Sequence, residues 1–163
     1  MIKVGIGHDV HAFSRDRKLV IGGVDIPFEM GLSGHSDADV LTHAICDALL
    51  GAMGEGDIGL KFPDNDPKYK NIRSLELLEN VCREVDRKNY KIYNVDSIVV
   101  AQAPKIQPFV PDMKKTLAAC LGIGENFINI KATTTEGLGF AGRKEGISAF
   151  AVVLIMEKGF AGR

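Results

Sequence analysis

The apolar run from Ile147 to Glu157, near the carboxyl end of the chain, constrains the fold more than any other stretch. Its residues are almost continuously apolar, which is typical of a strand that is buried on both faces. We therefore predict that this strand lies at the centre of its sheet and that both faces of the sheet are covered by other protein atoms. Its longest apolar segment, from Ala149 to Met156, is far too short to span a bilayer.

The order of the other elements predicts an α/β (α+β) fold with a mixed four-stranded sheet and helices on one face. The predicted strands besides the last one are Ile2–Ile6, a strand within Tyr90–Ala103, and Phe127–Ala132. Helices are predicted from an N-cap at Ser36 to about Ala52, from Ser74 to about Asn89, and from Pro111 to just before Gly122. Residues 19–27 predict a small β-hairpin that turns on two glycines, and residues 54–67 predict a loop.

One layer of three helices covers only one face of such a sheet. The other face would present a large apolar patch, which soluble monomers rarely tolerate, so we predict that the chain assembles with copies of itself. A length of 163 residues fits one domain, 1–163, with residues 159–163 as a tail.

A possible metal site follows the first strand, in Gly7-His8-Asp9-Val10-His11. Side chains alternate across a strand, so the carboxylate of Asp9 and the imidazole of His11 share one face. His43 on the first helix is a candidate third ligand, with Asp39 or Asp47 as a group that orients its ring. Three protein ligands with an open fourth position are typical of catalytic zinc. Spacing alone equally fits a solvated strand end and a half-exposed helical histidine.

A second polar group follows the third strand, where Thr133-Thr134-Thr135-Glu136 leads into the glycine-rich segment Gly137–Arg143. Hydroxyls, a carboxylate, backbone amides and an arginine are suited to hold a phosphate and a metal. A strand end with a flexible loop explains the same residues. The role of the acidic loop at 54–67 is likewise undecided, because its residues are suited equally to forming turns, to contacting sugar hydroxyls and to binding a cation.

Charge and cysteine content limit the possible partners and compartment. The chain has 20 basic and 21 acidic residues and a net charge of −1, which argues against nucleic acid or an anionic membrane as a partner. Cys46, Cys82 and Cys120 show no metal or disulfide spacing, so we predict buried thiols in a reducing compartment. No signal peptide is visible after Met1, and the predicted location is the cytoplasm.

Taken together, the polar motifs resemble one family, the 2-C-methyl-D-erythritol 2,4-cyclodiphosphate synthases of the non-mevalonate (methylerythritol phosphate) isoprenoid pathway. The matching motifs are Asp9-Val10-His11, His35-Ser36-Asp37, His43, Gly56-Asp57-Ile58-Gly59, Phe62-Pro63-Asp64, Ala101-Gln102-Ala103-Pro104-Lys105 and Lys131-Ala132-Thr133-Thr134-Thr135-Glu136. They occur in order over nearly the whole chain, so the resemblance is far more specific than any single motif.

The resemblance implies a phosphorus–oxygen lyase that forms a homotrimer with active sites between neighbouring subunits. Its substrate would be 4-diphosphocytidyl-2-C-methyl-D-erythritol 2-phosphate. Metal-assisted attack of the 2-phosphate on the β-phosphate would give 2-C-methyl-D-erythritol 2,4-cyclodiphosphate and CMP. Two alternatives stay open: a zinc phosphohydrolase that activates water at the same ligands, and a trimeric metal- and nucleotide-binding module without catalysis.

The resemblance also implies roles for individual residues. Asp9, His11 and His43 would hold Zn²⁺ or another divalent metal. Glu136 would bind Mg²⁺ or Mn²⁺ at the diphosphate, and His35 and Thr134 would stabilise the transition state. The implied substrate-binding residues are Ser36, Asp57, Ile58, Gly59, Phe62, Pro63, Asp64, Asn65, Asp66, Ala101, Gln102, Ala103, Pro104, Lys105, Ile106, Gln107, Thr133, Thr135, Phe140 and Arg143.

Within that set, residues 101–107 would receive the cytosine, Asp57 and Gly59 the ribose, and residues 62–66 the methylerythritol. Two positions depart from the family pattern. His8 stands where an aromatic or apolar residue is usual, and Leu60-Lys61 reverses the commoner order of a basic residue before an apolar one.

Overall fold

A computed structural model describes residues 1–63, 65–69 and 71–160. The strands are β1 (Ile2–Ser14), β2 (Leu19–Ile21), β3 (Val24–Ile26), β4 (Gly31–Leu32), β5 (Tyr90–Val100), β6 (Ile128–Thr133) and β7 (Gly146–Glu157). The α-helices are α1 (Val40–Met53), α2 (Ile58–Lys61), α3 (Ser74–Arg87), α4 (Val110–Leu121) and α5 (Gly139–Gly142). Short 3₁₀ turns occur at Pro67–Tyr69, Gln107–Phe109 and Glu125–Phe127.

The main sheet has the strand order β4-β1-β7-β5-β6. Strand β7 pairs antiparallel with both β1 and β5, whereas β5 and β6 are parallel. The predicted mixed sheet of four long strands and the central position of the last strand are therefore confirmed. The two-residue strand β4 adds a fifth strand at the edge beside β1. A strand this short carries no periodicity, so it could not be predicted from the sequence.

The predicted hairpin is confirmed as a separate two-stranded sheet of β2 and β3. It turns on Gly22 and Gly23, whose φ angles are +59° and +73°. A two-residue turn of this kind requires positive φ at both positions, which glycine adopts without steric cost.

Helix α1 lies directly on the backbone of β1. A Cβ atom at Gly5 would lie 1.9 Å from the carbonyl oxygen of Ala48, and one at Gly7 would lie 2.0 Å from that of Ala44. Only glycine permits this approach. Because Gly5, Gly7, Asp9 and His11 alternate onto the same face of β1, the close packing also brings α1 to the two predicted metal ligands.

The surroundings of α1 differ from the prediction in two ways. All its residues except Asp47 and Gly51 are buried, since the sheet, α3 and the hairpin surround it, so it has no polar solvent face. Its N-cap is Asp39 rather than Ser36. The Asp39 carboxylate accepts hydrogen bonds from the amide of Thr42 at 3.0 Å and from the amides of Gly22 and Gly23 at 2.8 and 2.6 Å.

Two segments predicted as loops contain single helical turns. In the stretch 54–67, Asp57 caps α2 by accepting from the amide of Leu60 at 2.9 Å, and in 137–143 the turn is α5. None of the helices in the described part of the chain is both long and apolar enough to cross a membrane.

The three long helices α1, α3 and α4 lie on one face of the sheet, as predicted, and the opposite face is open in the single chain. Along β1 the even-numbered residues point to this open face, and the side chains of Val4 and Ile6 are 63% and 70% exposed. The exposed apolar residues of the open face are Ile2, Val4, Ile6, Val10, Phe150 and Val152. His8 lies among them, with its ring centroid 4.3 Å from that of Phe150.

Candidate active site

The three predicted metal ligands meet at one point. His11 Nε2 lies 2.9 Å from Asp9 Oδ2, His43 Nδ1 lies 3.0 Å from the same oxygen, and the two ring nitrogens are 3.1 Å apart. These atoms form a nearly equilateral triangle. Its edges are close to the spacing of about 3.3 Å that tetrahedral bonds of about 2.0–2.1 Å to zinc require between ligands. The geometry therefore fits a small divalent cation.

A hydrogen-bond chain behind His43 sets the direction of its ring. Ser74 donates its hydroxyl proton to Asp37, so its oxygen accepts from Nε2 of His43 at 2.8 Å. The Nδ1 atom of the neutral ring then carries a lone pair and faces the carboxylate of Asp9. Two electron-rich atoms face each other in this tautomer, and a cation between them removes the repulsion. The donor set thus fits a metal chemically as well as geometrically.

The carboxylates of the predicted orienting residues, Asp39 and Asp47, do not hydrogen-bond to the imidazole of His43. Asp39 caps α1 and binds the hairpin amides, and Asp47 accepts a hydrogen bond from the amide of Ile58 at 3.1 Å. The prediction was wrong because it considered only residues one helical turn away. The actual orienting residue, Ser74, is at the start of another helix, α3.

Burial and charge act in opposite directions on the ligands. Burial by itself raises the pKa of Asp9, but the hydrogen bond and charge of His11 hold the pKa of that carboxyl well below its usual range. Burial lowers the pKa of His11, and the hydrogen bond and charge of Asp9 more than offset this, so the pKa of His11 is raised. Asp9 is therefore an anion at neutral pH, as a metal ligand must be.

The triad opens into a cavity of about 520 Å³. Its lining residues are Asp9, His11, Ser33, Gly34, His35, Ser36, His43, Ile58, Gly59, Phe62, Tyr69, Ile72 and Leu77. The cavity thus brings His35, Ser36, Ile58, Gly59 and Phe62 to the metal ligands. The predicted Asp57 caps the helix that carries Ile58. Pro63, Asn65 and Asp66 follow in the chain without lining the cavity, and Asp64 lies outside the described residues.

The loop that carries His35 is held by its backbone. Arg17 donates to the carbonyl oxygens of Gly34 and Ser36, and the amide of Asn71 donates to the carbonyl oxygen of His35 at 2.7 Å. The Ser36 hydroxyl lies 3.1 Å from Nε2 of His43. The exposed imidazole of His35 therefore projects from a fixed backbone at the edge of the cavity.

Several other predicted residues form a second cluster at the carboxyl ends of β5 and β6. The amide of Ala101 donates to the carbonyl of Thr133 at 3.0 Å, and the amide of Gly137 donates to the side chain of Gln102 at 3.2 Å. Thr134 donates to Glu136 at 2.9 Å. The remaining predicted residues lie on the same two segments of the chain: Ala103, Pro104, Lys105, Ile106, Gln107, Thr135, Phe140 and Arg143.

Within this cluster, Phe140 is 40% exposed, and Arg143 forms an ion pair with Glu145 at 2.8 Å. None of the described residues in 101–107 or 133–143 lines the metal cavity. The single chain therefore divides the predicted site into two separate clusters.

Several residues that shape the cavity were not predicted from the sequence, chiefly Arg17, Asp37, Ser74 and Tyr69. Asp37 was part of a matching motif without a role. An Asp and a Ser that are 37 positions apart carry no local pattern that would pair them. Arg17 lies in a turn that was predicted only as a polar loop, where an arginine is unremarkable.

Comparisons with known proteins identify the family. A curated relative from Caldicellulosiruptor bescii, named 2-C-methyl-D-erythritol 2,4-cyclodiphosphate synthase, is 63% identical over 157 residues, which are 96% of this chain and 100% of that protein. The IspF structure from Plasmodium falciparum, a CDP complex, matches with a TM-score of 0.85 and 37% identity over 96% of this chain and 97% of that one.

The bifunctional IspDF from Campylobacter jejuni matches with a TM-score of 0.93 and 46% identity over 96% of this chain, which spans 42% of that longer protein. The model of the YgbB family matches residues 2–156. The resemblance seen in the polar motifs is thereby confirmed, and this chain belongs to the YgbB family.

Proposed function

We propose that this chain converts 4-diphosphocytidyl-2-C-methyl-D-erythritol 2-phosphate into 2-C-methyl-D-erythritol 2,4-cyclodiphosphate and releases CMP. It is then a phosphorus–oxygen lyase of isoprenoid and terpenoid biosynthesis by the methylerythritol phosphate pathway. The observation that carries the proposal is the Asp9–His11–His43 triad, which shares one cavity with His35 and Ser36. The curated relatives that match nearly the full chain bear the name of this synthase.

The proposed reaction needs alignment and charge neutralisation more than a strong base. An oxygen of the 2-phosphate, already an anion, bonds to the β-phosphorus, and the bond from that phosphorus to the bridging oxygen breaks. CMP leaves with the electron pair, and no water is consumed. His35 at the cavity edge and the hydroxyl of Thr134 are suited to donate hydrogen bonds to the phosphoryl oxygens on which charge develops.

We assign Asp9, His11 and His43 to Zn²⁺ or another divalent metal, and Glu136 to Mg²⁺ or Mn²⁺ at the diphosphate. A divalent cation, when bound, neutralises phosphoryl oxygens and reduces the repulsion between the two phosphates. One oxygen and two nitrogen donors are the ligand types that zinc accepts, and a lone exposed carboxylate suits a magnesium ion held mainly by substrate phosphates.

We further infer a homotrimer in which the metal cavity of one subunit meets the second cluster of its neighbour. Two features support this: the open apolar face of the sheet, and the separation of the two clusters in a single chain. In such an assembly residues 101–107 receive the cytosine, Asp57 and Gly59 the ribose, and residues 62–66 the methylerythritol. The CDP complex of the Plasmodium falciparum relative supports a cytidine nucleotide as the bound group.

The proposed enzyme acts as one catalytic domain, 1–163, in the cytoplasm. A single hydrophobic core cluster supports one domain. Cys46, Cys82 and Cys120 are all free thiols, as in proteins of reducing compartments.

Turnover in ¹⁸O-labelled water tests the reaction. We expect CMP and a cyclic diphosphate without solvent oxygen, because the nucleophile comes from the substrate. Chelation of the metal should stop the formation of both products. Label in a linear diphosphate product would instead identify a phosphohydrolase. CMP binding without any turnover would identify a binding module.

Glu136→Gln tests the second metal. The variant should keep full zinc content, because Glu136 does not line the triad cavity, but it should need a higher magnesium concentration for half-maximal CMP release. The measurement is a magnesium titration with zinc content determined in parallel. An unchanged magnesium dependence would contradict the assignment.

A further inference from the structure

The one-turn helix α2 forms part of the wall of the metal cavity. Ile58 and Gly59 at its start and Phe62 just after its end line that cavity. A helix of four residues is not stable by itself, because it makes too few hydrogen bonds to offset the cost of nucleation. The position of this wall therefore depends on contacts with the rest of the molecule.

The start of α2 and the residue after it each contact another part of the chain. Asp47 of α1 accepts from the amide of Ile58 at 3.1 Å, and the ring of Phe62 packs edge-on against Tyr69 at 5.3 Å between centroids. Behind Phe62 and Tyr69 lies a second, open cavity of about 890 Å³, which Lys61 and Glu84 also line. Packing atoms are therefore sparse on this side of α2.

The ion pair of Lys61 with Glu84 crosses this space. Lys61 Nζ, at the end of α2, lies 2.5 Å from Glu84 Oε1 on α3. The Glu84 side chain is only 13% exposed, and Arg87, which contacts the same oxygen at 2.9 Å, is 73% exposed. The other oxygen of Glu84 is buried, and no described side chain or amide donates to it. A carboxylate buried to this degree needs its cation, so the pair differs from an exposed surface ion pair.

The ion pair of Lys61 with Glu84 depends on the order of Leu60 and Lys61 in the sequence. Leu60 is 76% exposed, whereas the lysine that follows it turns towards α3. The opposite order would place the lysine at the exposed position and the leucine beside the buried carboxylate. The reversed order in this chain thus selects a charged link between α2 and α3.

We propose that Lys61 and Glu84 are positioning residues, whose ion pair fixes α2 on α3 and so keeps Ile58, Gly59 and Phe62 in place for the substrate. This role rests on the proposed function, because the cavity must receive the substrate for the wall to matter. Neither residue lines the metal cavity, so the pair acts through α2 and not by contact with reacting atoms.

Lys61→Met and Glu84→Gln remove the charge on either side with little change in size. We expect each to raise KM about tenfold, to leave kcat within threefold and zinc content unchanged, and to speed amide hydrogen exchange at residues 58–61. Because both variants break the same ion pair, the double variant should raise KM no more than either single variant does. Lys61→Arg should restore a KM near that of the wild type.

Asp86→Asn is the matched control. It removes the exposed ion pair of Asp86 with Lys158, at 2.5 Å, which lies on the same helix but does not include a residue of α2, and KM should not change. A KM within twofold of wild type in both single variants, or wild-type exchange rates at residues 58–61, would overturn the proposal. If the wild-type protein released no CMP, this result would contradict the proposed function and not the role of the ion pair. The hydrogen-exchange rates of residues 58–61 would still test whether the ion pair holds α2.

Discussion

Ser74 lies between Asp37 and His43, and its hydroxyl decides which nitrogen of His43 faces the metal position. Ser74→Ala should lower zinc affinity about tenfold to a hundredfold with the fold intact, because the ring loses its main acceptor. Competition with a chromophoric chelator measures this. Ser97→Ala is the control, since it removes a hydrogen bond of 3.0 Å from a buried serine outside the site. Equal zinc affinity in the two variants would show that Ser74 does not orient the ligand.

The contact between α1 and β1 is the packing on which the metal site depends, because one element carries His43 and the other carries Asp9. Gly7→Ala should lower the free energy of unfolding by about 3 kcal/mol and weaken zinc binding, since the new methyl group would meet the Ala44 carbonyl at 2.0 Å. Chemical denaturation measures the first effect. As a control, Gly51→Ala on α1 has room, with its nearest neighbour at 3.7 Å, and should stabilise by up to about 1 kcal/mol. Equal stability of the Gly7 variant and the wild type would contradict this account.

The whole molecule presents an apolar sheet face that another subunit would cover. Ile6→Asp should give a monomer with little activity, because a buried carboxylate without a partner opposes association and each subunit would keep only part of its site. Sedimentation velocity combined with the CMP assay tests this. Lys115→Asp, on the exposed side of α4, changes charge away from that face and should leave assembly unchanged. A fully active Ile6→Asp monomer would disprove the trimeric site.

The local sequence determined the parts of this protein that depend on backbone geometry over a few residues. Alternation along β1 placed Asp9 and His11 on one face, the glycine pair at 22 and 23 specified the hairpin turn, and the apolar run in β7 required a central strand. These features follow from strand periodicity and permitted φ angles, which each short segment carries by itself.

Only the tertiary structure decided which distant groups meet. In the folded chain the Asp39 carboxylate accepts hydrogen bonds from the hairpin amides. The Nε2 atom of His43 contacts Ser74, which in turn contacts Asp37. The tertiary structure also divided the predicted site into a metal cavity and a separate cluster at the ends of β5 and β6. The physical reason is that such partners are fixed by how closely helices and strands pack, and no local pattern records that distance.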